Sequence, residues 1–96
     1  MLHILSRTPI DLAILERTST GDMVILIEDA VIEALATSPN SQHWQLILQS
    51  QRVCVLAADL AVRGLASDQI LNGIEIVDYQ GFVQLTINNE VIHSWH

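Results

Sequence analysis

The sequence predicts an α/β fold with three layers, α/β/α, in which helices cover both faces of a mainly parallel sheet of about five short strands. Short apolar runs recur along the chain, as they do in strands that are buried on both faces of a parallel sheet. Apolar residues at helical spacing follow these runs, and glycine, proline, serine or threonine residues separate the segments. Strands that alternate with helices are typical of layered α/β domains, here with a flavodoxin-like layout.

The first strand and the first helix are predicted near the amino terminus. Leu2–Leu5 is a short apolar run and indicates a strand. Thr8 and Pro9 form a helix-start signal, so a helix of about two turns is expected from there to Arg17. Gly21 is placed to supply a left-handed turn that closes this segment.

The second strand is predicted over Met23–Ile27, where apolar residues follow one another without interruption. Glu28 and Asp29 bring two carboxylates to its carboxyl end, just before a helix predicted over Ala30–Ala36. Negative charge at that position is stabilised by the helix dipole. Trp44 lies on the apolar side of a further helical segment.

The second half of the chain repeats this alternation. Val53–Ala57 is the predicted central strand, and Asp59 or a neighbour is expected to cap the helical turn that follows, which Gly64 ends. Ile74–Val77 is the next predicted strand, and Val91–Trp95 is the last.

The last predicted helix lies between these two strands. Asp78 is an expected N-cap, because its carboxylate can accept the free backbone N–H groups of the first turn. Tyr79, Phe82, Val83 and Thr86 then fall along one stripe of the helix.

Length and composition predict one domain, residues 1–96, that leaves part of its apolar surface exposed. Half of the residues are hydrophobic and 16% are charged, against roughly 25% in an average soluble domain. Because a domain of this size buries only about two thirds of its chain surface, apolar area should remain outside the monomer. Such area usually marks a protein interface, so the isolated chain is expected to self-associate.

The charge distribution argues against nucleic acid and membrane surfaces as direct partners. The formal net charge is −7, and the four basic residues are all arginines scattered singly through the sequence. Affinity for nucleic acids comes largely from lysine and arginine side chains that neutralise phosphates. The opening residues lack the basic and long apolar parts of a signal peptide, and a cytoplasmic location is expected.

No catalytic, metal or cofactor site is predicted. Cys54 is the only cysteine, and it lies inside a predicted buried strand, where a thiol behaves as an inert apolar group. The four histidines lack zinc-motif spacing, and the isolated glycines form no phosphate-binding loop. Glu28 and Asp29 are expected to cap a helix or contact a partner subunit rather than act as an acid–base pair.

Several blocks of the sequence together resemble the TusB/DsrH family. They are Met1–Leu5, Ile27–Val31, Val53–Leu65, Val77–Thr86 and Trp95. The resemblance implies a DsrEFH-like fold and a non-catalytic subunit of a TusBCD-like sulfur-relay complex, which is a dimer of heterotrimers with TusC-like and TusD-like subunits. In such systems the thiol lies on the TusD-type subunit. Sulfur arrives from a TusA-type carrier and leaves through a TusE-type protein for 2-thiolation of the wobble uridine of tRNA.

The resemblance also bears on the individual residues. Some DsrH-type members carry a cysteine in the first helix, and Ile14 occupies that position here. Candidate contacts with partner subunits are the aromatic residues Tyr79, Phe82 and Trp95, because aromatic residues are enriched at interface centres. For Trp95, a place in the chain's own core is equally expected.

Three alternatives remain open at this point. The first is a DsrH-like subunit that serves sulfur oxidation. The second is a stand-alone sulfurtransferase that uses Cys54, and the third is a small-ligand binding module at the carboxyl ends of the strands.

Overall fold

The computed structural model describes residues 1–95 and contains a five-stranded, all-parallel sheet. The strands are β1 (Leu2–Leu5), β2 (Met23–Leu26), β3 (Arg52–Leu56), β4 (Glu75–Val77) and β5 (Ile92–Trp95). Their order across the sheet is β4-β3-β2-β1-β5. The α/β fold with about five short parallel strands, predicted from the sequence, is therefore confirmed.

The helices are short and unevenly shared between the two faces of the sheet. They are α1 (Leu12–Glu16), α2 (Ser41–Ile47), α3 (Ala57–Val62) and α4 (Tyr79–Asn88), with 3-10 segments at Glu28–Ala34 and Ser67–Gln69. Helices α1, α2 and α3 and the longer 3-10 segment contribute to one core, whereas α4 contributes to the other. One face of the sheet is thus covered by several elements and the opposite face by α4.

The connectivity explains why α4 lies apart. From β1 to β4 each strand is placed beside the preceding one in a constant direction, so right-handed crossovers keep the intervening helices on one face. The connection from β4 to β5 returns across the sheet to the other side of β1. This reversal requires a right-handed crossover to pass over the opposite face, where α4 is found.

Side chains along each strand point alternately to the two faces of the sheet, and this divides the apolar residues between two cores. The larger core contains the fully buried Trp44 of α2 together with Val24 and Val55 of the central strands. The smaller core places Cys54 and Ile25 beneath α4. Neighbours in a strand point to opposite faces, which is why Cys54 and Val55 lie in different cores.

Some helix boundaries differ from those predicted. Helix α1 begins at Leu12 rather than near Pro9, because the Asp11 carboxylate caps it by accepting the Ala13 N–H at 2.9 Å. The predicted helix over Ala30–Ala36 is instead the 3-10 segment that begins at Glu28. This segment ends at Ala34, and its 3-10 winding is tighter than that of an α-helix.

The predicted cap of α3 is also different. Helix α3 starts at Ala57, so Asp59 lies in its first turn and does not precede it. The Asp59 carboxylate accepts the backbone N–H of Glu28 at 2.7 Å and thereby joins α3 to the end of β2. By contrast, Gly64 ends this helix as predicted, with φ of 69°, and the left-handed turn predicted at Gly21 is confirmed, with φ of 88°.

Candidate functional site

The outer surface of α4 is the candidate functional site of this chain. The helix begins at the predicted N-cap, where the Asp78 carboxylate accepts the Gly81 N–H at 2.7 Å. A Cβ at Gly81 would lie 3.2 Å from the Val77 Cβ, so the glycine allows the first turn to approach the end of β4 closely. These two residues fix the direction in which α4 crosses the sheet.

Helix α4 carries an exposed apolar stripe, which we call the α4 patch: Tyr79, Phe82, Val83 and Ile87. The side chains of Tyr79 and Ile87 are 68% and 70% exposed, and Val83 is also exposed. Tyr79 packs edge to face against the half-buried Phe82, with 6.3 Å between the ring centroids. Of the predicted stripe, Tyr79 and Val83 are exposed, whereas Phe82 and Thr86 are half-buried. Leu85 anchors the helix to the sheet.

The α4 patch lacks charge. None of the residues from Tyr79 to Asn88 is an aspartate, glutamate, lysine or arginine, although the whole chain has a net charge of −7. Depletion of charged residues and enrichment of aromatic ones are the compositional marks of the centre of a protein interface. The patch has the chemistry of a surface that another protein covers.

Trp95 is held by contacts within its own chain. Its Nε1–H donates to Nδ1 of His3 at 3.2 Å, and its ring stacks on His93 with centroids 4.0 Å apart. The Arg17 guanidinium lies 5.9 Å from the ring centroid, within range of a cation–π contact. These contacts give Trp95 a structural role. Its side chain is half-buried, so part of it remains exposed at the surface.

The hydrogen bond from Trp95 fixes the tautomer of the buried His3. Because an indole nitrogen can only donate, Nδ1 of His3 accepts, and Nε2 lies 2.9 Å from the Asp22 carboxylate. Burial raises the pKa of Asp22, but hydrogen bonds from His3, the Ser19 N–H and the amino terminus outweigh it and lower that pKa overall.

Glu28 and Asp29 lie at the carboxyl end of β2, as predicted. The Asp29 carboxylate forms an ion pair with Arg63 of α3, with 2.6 Å between Oδ1 and Nη2. Glu28 has an exposed side chain and a left-handed backbone, φ 51°, which its N–H bond to Asp59 holds in place. Asp29 therefore connects elements of its own chain, and the Glu28 carboxylate points towards solvent.

Cys54 is fully buried beneath α4. Burial raises the pKa of its thiol to about 11, and Glu75, its register partner on β4, contributes to the increase. Arg52 lies on the same face of β3, but its guanidinium is paired with Glu75 through contacts of 2.8 and 2.6 Å. At neutral pH the thiol is protonated and inaccessible, which disfavours a nucleophilic role.

Glu33 is a buried carboxylate that the sequence analysis missed. Its oxygens accept hydrogen bonds from Thr8 at 3.2 Å, Asn40 at 3.0 Å and the Trp44 indole at 3.5 Å. These contacts connect the loop after β1, the 3-10 segment and α2. No local sequence pattern marked Glu33, because its partners lie 25, 7 and 11 positions away in other elements.

Within residues 1–95, no group of three histidine, cysteine, aspartate or glutamate side chains is arranged to hold a metal ion. The longest described helix, α4, has 10 residues, whereas a bilayer crossing needs about 20, and none of the described helices could span a membrane.

Comparison with known proteins assigns the chain to a family. The family model described as "DsrH like protein" matches residues 9–92, most of the sequence. The chain belongs to the DsrH-like family. This membership confirms the TusB/DsrH resemblance carried by the five sequence blocks.

Relatives within the family match the chain over its whole length. It is 36% identical to Protein TusB of Pectobacterium parmentieri over 98 residues, which cover 99% of this chain and 100% of that protein. It is 38% identical to Protein TusB of Escherichia coli strain K12, with the same coverage of both chains.

Solved structures support the same fold. The protein of unknown function MTH1491 from Methanobacterium thermoautotrophicum superposes with a TM-score of 0.79, at 17% identity, covering 98% of this chain and 96% of that one. The ychN protein from E. coli superposes with a TM-score of 0.74, at 19% identity, covering 98% and 97%. The DsrH-like chain therefore shares its α/β architecture with these proteins.

Proposed function

We propose that this chain is a non-catalytic subunit of a cytoplasmic, TusBCD-like sulfur-relay complex that supports 2-thiolation of the wobble uridine in tRNA. Its membership in the TusB/DsrH family supports a role in sulfur relay. The observation that carries the proposal beyond the family is the α4 patch, an exposed apolar surface without charge on an otherwise acidic chain.

The α4 patch is the proposed contact with TusC-like or TusD-like subunits. Tyr79 and Ile87 would lose most of their water contact on docking, and burial contributes about 25 cal/mol for each Å² of apolar surface. Because the patch is uncharged, a partner can cover it without the free-energy cost of removing an ion from water.

The state of Cys54 supports a structural rather than a catalytic role. A thiol that carries sulfur must reach its donor and acceptor as a thiolate, and Cys54 is buried with its pKa raised to about 11. In this proposal the reactive thiol belongs to the TusD-like subunit. The chain holds the complex together, while TusA-like and TusE-like carriers exchange sulfur with that thiol.

Co-expression with TusC-like and TusD-like subunits tests the proposal. The tagged chain should recover both subunits in one defined hetero-oligomer, measured by size-exclusion chromatography with light scattering. Ile87→Glu, which places a carboxylate in the patch, should lower the recovery of that complex at least tenfold. In a strain that depends on this chain, 2-thiouridine measured by mass spectrometry should fall in parallel.

Val62→Glu is the matched control. Val62 is 80% exposed on α3, on the opposite face of the sheet, so this change adds the same charge outside the patch and should leave assembly intact. If both variants assemble normally, the α4 patch is not the contact. If the unmodified chain recovers neither subunit, the relay function itself is wrong.

A further inference from the structure

A cleft of about 190 Å³ opens at the carboxyl ends of β1 and β5. Leu5 and Trp95, the last residues of these strands, are register partners and both line it. Strand order proceeds outward from β1 to β4 and then continues on the other side of β1 with β5. Open α/β sheets bind ligands outside the carboxyl ends of their strands, at such a reversal.

Arg7 gives the lining of this cleft a positive charge. Among the arginines, Arg52 is paired with Glu75 and Arg63 with Asp29, so their charges are already neutralised. The Arg17 guanidinium lies 5.9 Å from the Trp95 ring centroid, and Arg17 does not line the cleft. Arg7 is exposed, and within residues 1–95 it forms no ion pair. A free guanidinium presents parallel N–H donors that fit the two oxygens of a carboxylate.

The other polar side chains of the lining are occupied. The Thr8 hydroxyl donates to Glu33, and the Asp11 carboxylate accepts the N–H that begins α1. Asp11 also repels an anion from its own end of the cleft. A bound carboxylate is therefore directed to Arg7, and the remainder of the ligand contacts the apolar part of the lining.

The apolar part of the lining is formed before any ligand binds. The Trp95 ring is fixed by its hydrogen bond to the buried His3 and by stacking on His93. Ile14, half-buried in α1, also lines the cleft, at the position where the family resemblance places a cysteine in some members. A rigid indole and a branched aliphatic side chain form a surface suited to a ring or a branched chain.

We propose that this cleft binds a small organic carboxylate whose body is an aromatic ring or a short branched chain. A cavity of about 150 Å³ takes up benzene, so the observed volume of about 190 Å³ accommodates a group of that size. This binding site is independent of the α4 patch, which lies on the opposite face of the sheet, and of the proposed relay function.

Benzoate is the probe that tests the site. Titrated into the full chain, it should bind saturably in the millimolar range and shift the NMR signal of the Trp95 indole N–H. Trp44, buried in α2 and outside the lining, serves as an internal reference that should not move. Benzamide, which keeps the ring but lacks the charge, and acetate, which keeps the charge but lacks the ring, should each bind at least tenfold more weakly.

Three variants distinguish the contribution of the Arg7 charge from that of the cleft volume. Arg7→Gln should weaken benzoate at least tenfold, whereas Arg52→Gln removes an arginine from β3, outside the lining, and should leave benzoate binding unchanged. Ile14→Phe should fill the cleft and abolish binding while Arg7 is retained. Equal affinity for benzoate and benzamide, an unchanged Arg7→Gln variant, or a linear shift without saturation would each overturn the proposal.

Discussion

His3 shows how much of this molecule depends on contacts between residues far apart in sequence. Its two ring nitrogens contact Asp22 and Trp95, which are 19 and 92 positions away. The sequence predicted a strand at Leu2–Leu5 correctly, because a short apolar run is a local signal. It gave no indication that a histidine in that strand would be the centre of a buried polar network, since partner choice depends on the sheet register.

Cys54→Val should leave both the fold and tRNA thiolation intact. The two side chains have similar volumes, so the free energy of unfolding should change by less than about 1.5 kcal/mol. In the native protein the thiol should react slowly with a thiol reagent at neutral pH, because burial raises its pKa to about 11 and blocks access. Unfolding in urea should restore rapid labelling, and the native rate should increase as pH approaches that value.

Rapid labelling of native Cys54 at pH 7 would contradict its burial. Loss of thiolation in Cys54→Val, at normal protein levels, would instead favour the stand-alone sulfurtransferase that uses this cysteine. The two measurements thus test structure and function separately.

Helix α4 shows what an element-level prediction can and cannot supply. The N-cap Asp78 and the stripe of Tyr79, Phe82 and Val83 were predicted, because capping and helical spacing act within one or two turns. The side of the helix that faces the sheet was not predicted. The buried anchor is Leu85, Phe82 is half-buried against the smaller core, and Tyr79 is exposed to solvent. An apolar stripe destined for an interface has the same sequence pattern as one destined for the core.

Asp78→Ala should destabilise the chain by about 1 kcal/mol, the usual cost of losing a side-chain N-cap. The lost acceptor is the carboxylate that binds the Gly81 N–H at the start of α4. Urea denaturation measures the effect, and Asp78→Asn is the control, because asparagine caps about as well as aspartate. Equal losses in both variants would show that the charge at this position, rather than the cap, stabilises α4.

At the scale of the whole molecule, α4 alone among the helices of residues 1–95 covers one face of the sheet, because β5 returns to the far side of β1. Strand–helix alternation predicted the layers, but it did not specify this order, which depends on pairing between strands distant in sequence. Unlike strand order, net charge follows directly from the amino-acid composition. The value of −7 can therefore be used to predict solution behaviour with the fold known or unknown.

The purified chain should have no appreciable affinity for tRNA at physiological salt. Of its arginines, Arg52 and Arg63 are already paired with carboxylates, which leaves Arg7 and Arg17 to oppose a large excess of negative charge. Affinity for phosphates depends on several cations acting together and on the counterions they release. Filter binding with labelled tRNA across a range of salt concentrations measures this directly. Micromolar binding that weakens steeply with added salt would reveal a basic surface and would make direct contact with the thiolated RNA part of the mechanism.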